Sequence, residues 1–127
     1  MRQINRMQKA NLTERDSFIT ADGSSIRELA HPAWTPAQSQ SLAEATVQAG
    51  SETAEHYHPR SEELYYFIAG EGRMRLDADE APVAAGDCVV IPPGTPHKLW
   101  NTGSVPLVLL CCCAPAYSDD DTVMTGK

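Results

Sequence analysis

From Phe18 onward, short apolar runs alternate with clusters of turn-forming residues at regular intervals. Phe18-Ile19-Thr20 and Ser25-Ile26-Arg27-Glu28-Leu29 flank Asp22-Gly23, a dipeptide that favours a hairpin because glycine tolerates the positive φ required there. Residues 31–36 form a loop punctuated by Pro32 and Pro36. Further strand-like runs occupy residues 40–48, 64–68, 73–77, 88–91, 98–101 and 106–113. Gly50, Pro59, Gly70-Glu71-Gly72, Asp79-Glu80, Gly86-Asp87, Pro92-Pro93-Gly94 and Thr102-Gly103-Ser104 separate them. Turns about every 8–12 residues predict an all-β sandwich or barrel. No stretch holds a 3.6-residue period, so little helix is expected. Residues 1–17 are polar and read as an N-terminal arm, where Thr13 and Asp16 resemble a capping box over a short turn. Residues 18–117 then form the one barrel domain. Residues 118–127, opening on Ser118-Asp119-Asp120-Asp121, read as an acidic tail without a core face that frays at its end.

A chain of 127 residues can bury one modest core without disulfides. Ten basic against seventeen acidic residues leave a formal charge of −7. Such a surface repels phosphate backbones and anionic lipid, so neither nucleic acid nor membrane is an expected partner. The N-terminus carries no signal-peptide pattern and no apolar stretch reaches about 18 residues, which makes a cytoplasmic location the default expectation. Three of the four cysteines are consecutive, Cys111, Cys112 and Cys113. Neighbours on a strand point to opposite faces and cannot bridge one another, so reduced thiols are expected. One face of that run must line the barrel; a small buried hydrophobe is the plainer role, and a soft thiolate would favour zinc or copper(I).

The candidate chemistry lies in His56-Tyr57-His58, whose imidazoles share a face if the segment is extended. A hairpin after Pro59 and Arg60 would return Glu63 beside them, and His97 follows a second turn-rich segment. Three imidazoles and a carboxylate suit iron, manganese, nickel, cobalt, copper or zinc. On a six-coordinate ion they would leave two positions open, as catalysis requires. A His-x-His pair alone is more often an ordinary core or surface pair.

The glycine and proline spacing around these residues adds more. Gly50, five residues, His56-x-His58, four residues, Glu63, six residues and Gly70 form one pattern. Gly86, five residues, Pro92-x-Gly94, two residues, His97, three residues and Asn101 form a second. Together they resemble the two motifs of the cupin superfamily, G-x5-H-x-H-x(3,4)-E-x6-G and G-x5-P-x-G-x2-H-x3-N, with every defined position present. The resemblance covers residues 50–70 and 86–101 and implies a double-stranded β-helix, or jelly-roll barrel. It also implies one divalent metal ion held by His56, His58, Glu63 and His97. Glu62 competes for the carboxylate position, but the six residues to Gly70 favour Glu63. Asn101 is expected to hold a turn.

Alternation places Tyr65, Phe67 and Leu99 on the inward face with Glu63 and His97. Tyr65 is the candidate catalytic residue, as hydrogen-bond donor or general acid, beside an equal reading as barrel packing. Lys98 and Trp100 then face outward, Trp100 toward a partner subunit. Arg73 and Arg75 could grip an anion only by displacing Met74 and Leu76 from the inward face, which costs more. Two classes of function follow from the resemblance. One is a small-molecule enzyme, sugar-phosphate isomerase-like or dioxygenase-like; the other is a non-catalytic metal-dependent module that binds or senses a small ligand. A homodimer is expected, with residues 18–29 adding strands to a neighbour's sheet.

Overall fold

The structure, a computed structural model, describes residues 7–127, so the first six residues of the expected arm lie outside the described residues. Among the described residues eleven strands follow one another: β1 (Phe18–Ile19), β2 (Ser25–Ala30), β3 (Ser41–Val47), β4 (His56–Tyr57), β5 (Glu62–Ala69), β6 (Glu71–Leu76), β7 (Asp79–Ala84), β8 (Cys88–Ile91), β9 (His97–Asn101), β10 (Leu107–Ala114) and β11 (Val123–Met124). They form two antiparallel sheets, ordered β1-β2-β3-β10-β5-β8 and β11-β4-β9-β6-β7. This is the all-β barrel expected from the turn spacing. Among the described residues no helix is long and apolar enough to cross a membrane.

Alternation sets which residues enter the barrel. Along β5, Glu63, Tyr65 and Phe67 are buried while Glu62, Leu64, Tyr66 and Ile68 are exposed. Register then aligns three inward rows: Leu109 of β10 lies between Ala45 and Phe67, Cys111 between Ala43 and Tyr65, and Cys113 between Ser41 and Glu63. Phe67, Leu107 and Leu109 are fully buried and fill one end of the barrel, while Ile91, equally buried, pairs with Glu63 toward the other. Toward the other end the same rows pass to Ser41, Ala43, Cys111, Cys113 and Glu63, side chains too small or too polar to close it. A cavity results.

Two glycines allow neighbouring segments to approach closely. Gly70 has φ +85, and a Cβ there would sit 2.5 Å from the carbonyl oxygen of Pro106. A Cβ on Gly72 would collide with the Trp100 carbonyl across the β6–β9 ladder.

Three sequence expectations change. Asp79-Glu80 opens β7 rather than making a turn; the reversal falls earlier, where Asp77 adopts φ 54. Pro82 is tolerated because β7 is the edge of its sheet. The short turn near the N-terminus spans Leu12–Glu14 and is capped by Asn11, whose side chain accepts from the Thr13 backbone N–H, not by Thr13. The acidic C-terminal segment does not fray. Val123 and Met124 pair with β4, and the Asp121 carboxylate is buried beneath the β4–β5 loop, where it accepts the backbone N–H groups of Arg60 and Ser61.

Candidate metal centre

His56 begins β4 and His97 begins β9, and the two residues are direct partners in the β4–β9 ladder. His58 follows two positions after His56, and Glu63 enters from β5. The structure brings all four together. Nitrogens of His56, His58 and His97 lie within 4.8 Å of one another, close enough to hold a metal ion. Glu63 Oε1 is 3.3 Å from His58 Nε2 and 3.5 Å from His97 Nε2. Glu62 is exposed on the opposite face.

The outer ring nitrogens explain the inner ones. His56 Nδ1 meets the carbonyl of Ala54 at 3.1 Å, His58 Nδ1 that of Asp121 at 3.0 Å, and His97 Nδ1 that of Thr95 at 2.9 Å. A carbonyl only accepts, so each Nδ1 carries a proton, and in its neutral form each ring then turns an Nε2 lone pair inward. Glu63 Oε1 and His97 Nε2 are buried without a hydrogen-bond partner. Lone pairs facing each other at 3.3–3.5 Å call for a positive charge between them. The donor set therefore fits a divalent transition metal, with its rings already oriented by backbone carbonyls.

Protons can supply that positive charge when no metal does. Burial pushes the Glu63 carboxyl up, but hydrogen bonds and charge from His58 and His97, when those rings are protonated, outweigh this and hold it at about 2. Burial lowers the basicity of His56, with His97 adding to the effect. His58 moves the other way: burial acts against its charged form, but the Glu63 carboxylate and the Asp121 carbonyl raise it overall. Cys113, paired across from Glu63, donates its thiol to Glu63 Oε2 at 3.2 Å. Burial and the carboxylate push that thiol far above its ordinary range, so it stays protonated.

The remaining predicted residues separate into two groups. Tyr65 is buried with its ring edge-on to His97, centroids 5.7 Å apart, and burial followed by Glu63 keeps its hydroxyl protonated. Phe67 packs wholly in the core and Leu99 lines the cavity. Asn101 holds the β9–β10 turn, its amide donating to Val47 and Val105 carbonyls and its oxygen accepting from Gly103. Arg73 and Arg75 point out of the barrel, paired with Glu80 and Glu55, so neither reaches the cavity. Lys98 also faces outward but is buried between Glu52 and the chain terminus. Trp100 lies half-buried beneath the cations of Arg75 and Lys98. Cys112 points outward, toward Gln40.

The cavity holds about 740 Å³ of empty space, counting the part open to solvent. Its wall includes residues whose role the sequence pattern did not disclose: Asp22, Glu28, Tyr117 and Thr122. Asp22 serves as the hairpin turn residue and also lines the cavity, with Oδ2 4.0 Å from the outer ring nitrogen of His56, Nδ1. The Asp-Gly pair announced the turn but carried no signal for the second role.

Comparison with known proteins agrees with this architecture. Residues 43–113 match the Cupin domain family. The uncharacterized protein MJ1618 of Methanocaldococcus jannaschii is 53% identical over 105 residues, 83% of this chain and 84% of that protein. SchB of Streptomyces halstedii is 37% identical over 65% of this chain, which spans 60% of SchB. Among solved structures, the nucleoside dehydratase Pac13 of Streptomyces superposes with TM-score 0.77 at 20% identity, covering 96% of this chain and 92% of Pac13. On its motifs, its barrel and its match to the family, the chain is a member of the cupin family.

Proposed function

We propose that this protein is a metal-dependent enzyme acting on a small organic molecule, with His56, His58, Glu63 and His97 binding one divalent transition-metal ion. The observation that carries this reading is the pair of buried, unpartnered atoms, Glu63 Oε1 and His97 Nε2, facing each other beside an open cavity. Bound there, such an ion would supply Lewis-acid or dioxygen chemistry, the two types that isomerase-like and dioxygenase-like cupins represent. The fold alone does not choose between them, since its relatives include a nucleoside dehydratase and a predicted oxalate decarboxylase. The chain's own residues set the conditions. Leu99, Leu109 and Val47 form an apolar wall that excludes water from the inner end, and Tyr65 offers a protonated hydroxyl beside His97. Elemental analysis of the native protein tests the proposal: about one iron, manganese, nickel, cobalt, copper or zinc per chain is expected, and none would overturn it. Ligand binding without turnover would instead assign a sensing role.

Cys113 should act through Glu63. Cys113→Ala removes the donor to Oε2 and is expected to weaken metal binding by about tenfold, while Cys113→Ser restores it, as groups supporting a ligand contribute roughly 10–100-fold. Competition with a metal indicator measures this; equal affinities in all three proteins would remove Cys113 from the site.

A homodimer is part of the same proposal, on a different surface from the edge expected in the sequence. Leu64, Tyr66, Ile68 and Val90 stand exposed at 38–53% on the outer face of β5 and β8, with Leu64 and Val90 direct cross-strand partners. A contiguous apolar face shared by two copies satisfies both at once. Light scattering should give twice the chain mass, and Tyr66→Asp should return it to the monomer value. A wild-type monomer would refute the dimer.

A further inference from the structure

The cavity wall carries three carboxylates and, among the described residues, no lysine or arginine. Glu63 sits at the cluster, Asp22 on the β1–β2 turn, and Glu28 on β2, where it lines the cavity with Ile26. The cations of neighbouring elements are engaged elsewhere. Arg27 pairs with Glu44, Arg73 with Glu80, Arg75 with Glu55 and Lys98 with Glu52. Arg15 stacks on Trp34 and donates to the Glu28 carbonyl, and Arg60 pairs with Asp121.

The two outer carboxylates are fixed in place. Asp22 Oδ1 accepts the Thr20 hydroxyl at 2.8 Å, the Ser24 N–H at 2.9 Å and the Ser24 hydroxyl at 2.6 Å. The Asp22 carbonyl is tied to the N–H of Ala54, two residues before His56. Glu28 Oε1 accepts from the Trp34 indole at 2.7 Å. Asp22 and Glu28 lie on the β1–β2 turn and on β2, outside the stretch that matches the family. The unpartnered Glu63 Oε1 and His97 Nε2 at the inner wall mark the same space as a binding site.

We infer that the cavity takes a small ligand without negative charge, one whose hydroxyl or ammonium donors meet Asp22 and Glu28, and that it excludes phosphorylated substrates. The inference rests on the cavity being the functional site and deepens that reading. A divalent ion contributes two positive charges against three carboxylates, so the lining stays negative when loaded. A phosphate away from the ion would lose its hydration and gain no cation in return. A hydroxyl or ammonium group instead finds fixed acceptors, with Thr20, Ser24 and Thr122 beside them. The sugar-phosphate chemistry that the cupin resemblance implies is thereby disfavoured, and an unphosphorylated substrate takes its place.

Paired thiol reagents of equal size and opposite charge test this without a known substrate. Phe18→Cys places a reporter at the cavity mouth, where residue 18 is 47% exposed. Cys111 reports from deeper inside, and the exposed Cys88 is the reference in the same molecule. Modification by trimethylammonium and sulfonate methanethiosulfonates is followed by mass spectrometry at mildly alkaline pH, where exposed thiols react readily. The cationic-to-anionic rate ratio at position 18 should exceed that at Cys88 by about fivefold in metal-free protein, as expected for a charge difference felt across several ångströms of partly screened space. The Asp22→Asn/Glu28→Gln protein should lose most of that excess. Equal ratios at positions 18 and 88, or an excess untouched by the double substitution, would overturn the inference. Where Cys111 reacts with neither reagent, the ratio at position 18 decides. Zinc addition separates the two readings: an excess that zinc leaves unchanged would count against the metal centre while the charge preference stands.

Discussion

His97→Ala should abolish stoichiometric metal binding while leaving the barrel folded. His97 is 1% exposed and starts β9, so its ring cannot be replaced by solvent reaching in from outside. Removing it deletes one of three converging nitrogens and leaves Glu63 Oε1 facing only His58. Losing a supporting group around a metal typically lowers affinity by about 10–100-fold, so losing a ligand should lower it by more than about a hundredfold. His56→Ala should match it. Glu63→Gln is a sharper comparison, because it keeps shape and removes the one negative charge held at about 2 by the imidazoles. Elemental analysis and competition titration read the outcome, with circular dichroism as the check on folding. Metal content unchanged in both histidine variants would remove the assigned centre altogether.

The legible part of the fold and site has one physical origin. Glycines and prolines at fixed offsets determine where strands must reverse, and a two-residue side-chain period determines which residues then face inward. That sufficed to put His56 and His58 on one face and to return Glu63 near them. The convergence of His97 on the same point and the choice of Glu63 over Glu62 came with the resemblance to the cupin motifs, and in the structure the four side chains lie together. It also sent Arg73 and Arg75 outward, since Met74 is the residue buried between them. What escaped was built from contacts distant in sequence. Asp22 reads locally as a turn residue, and only the docking of its carbonyl on Ala54 brings it to the cavity. Strand β7 carries a proline and opens on two acids, and its place at a sheet edge is what makes both acceptable. The C-terminal segment has no apolar periodicity, so nothing local predicts that it folds back over β4.

Replacing Asp121 by alanine should destabilise the protein by about 2–4 kcal/mol, lowering the melting temperature by roughly 10 °C. Its carboxylate accepts from the N–H of Arg60 at 3.0 Å through Oδ1 and from that of Ser61 at 3.0 Å through Oδ2. Ser61 is buried, so its N–H would be stranded without solvent to replace the lost bond. Asp121→Asn can satisfy one of the two donors and should fall between wild type and alanine. The effect has a pH signature. Burial pushes the Asp121 carboxyl up, but the hydrogen bonds from Ser61 and Arg60 outweigh it and hold it below its ordinary value. A depressed folded value means the contribution is complete above the unfolded carboxyl pKa, about 3.9, and disappears as pH falls through the folded one. Urea titrations should therefore show a wild-type advantage over Asp121→Asn that is constant near neutrality and narrows below about pH 4. The same residue's carbonyl orients His58, so the alanine protein should also bind metal more weakly if the C-terminal segment detaches. An Asp121→Ala protein as stable as wild type would mean that the segment lies loose in solution, and the support it gives His58 would go with it.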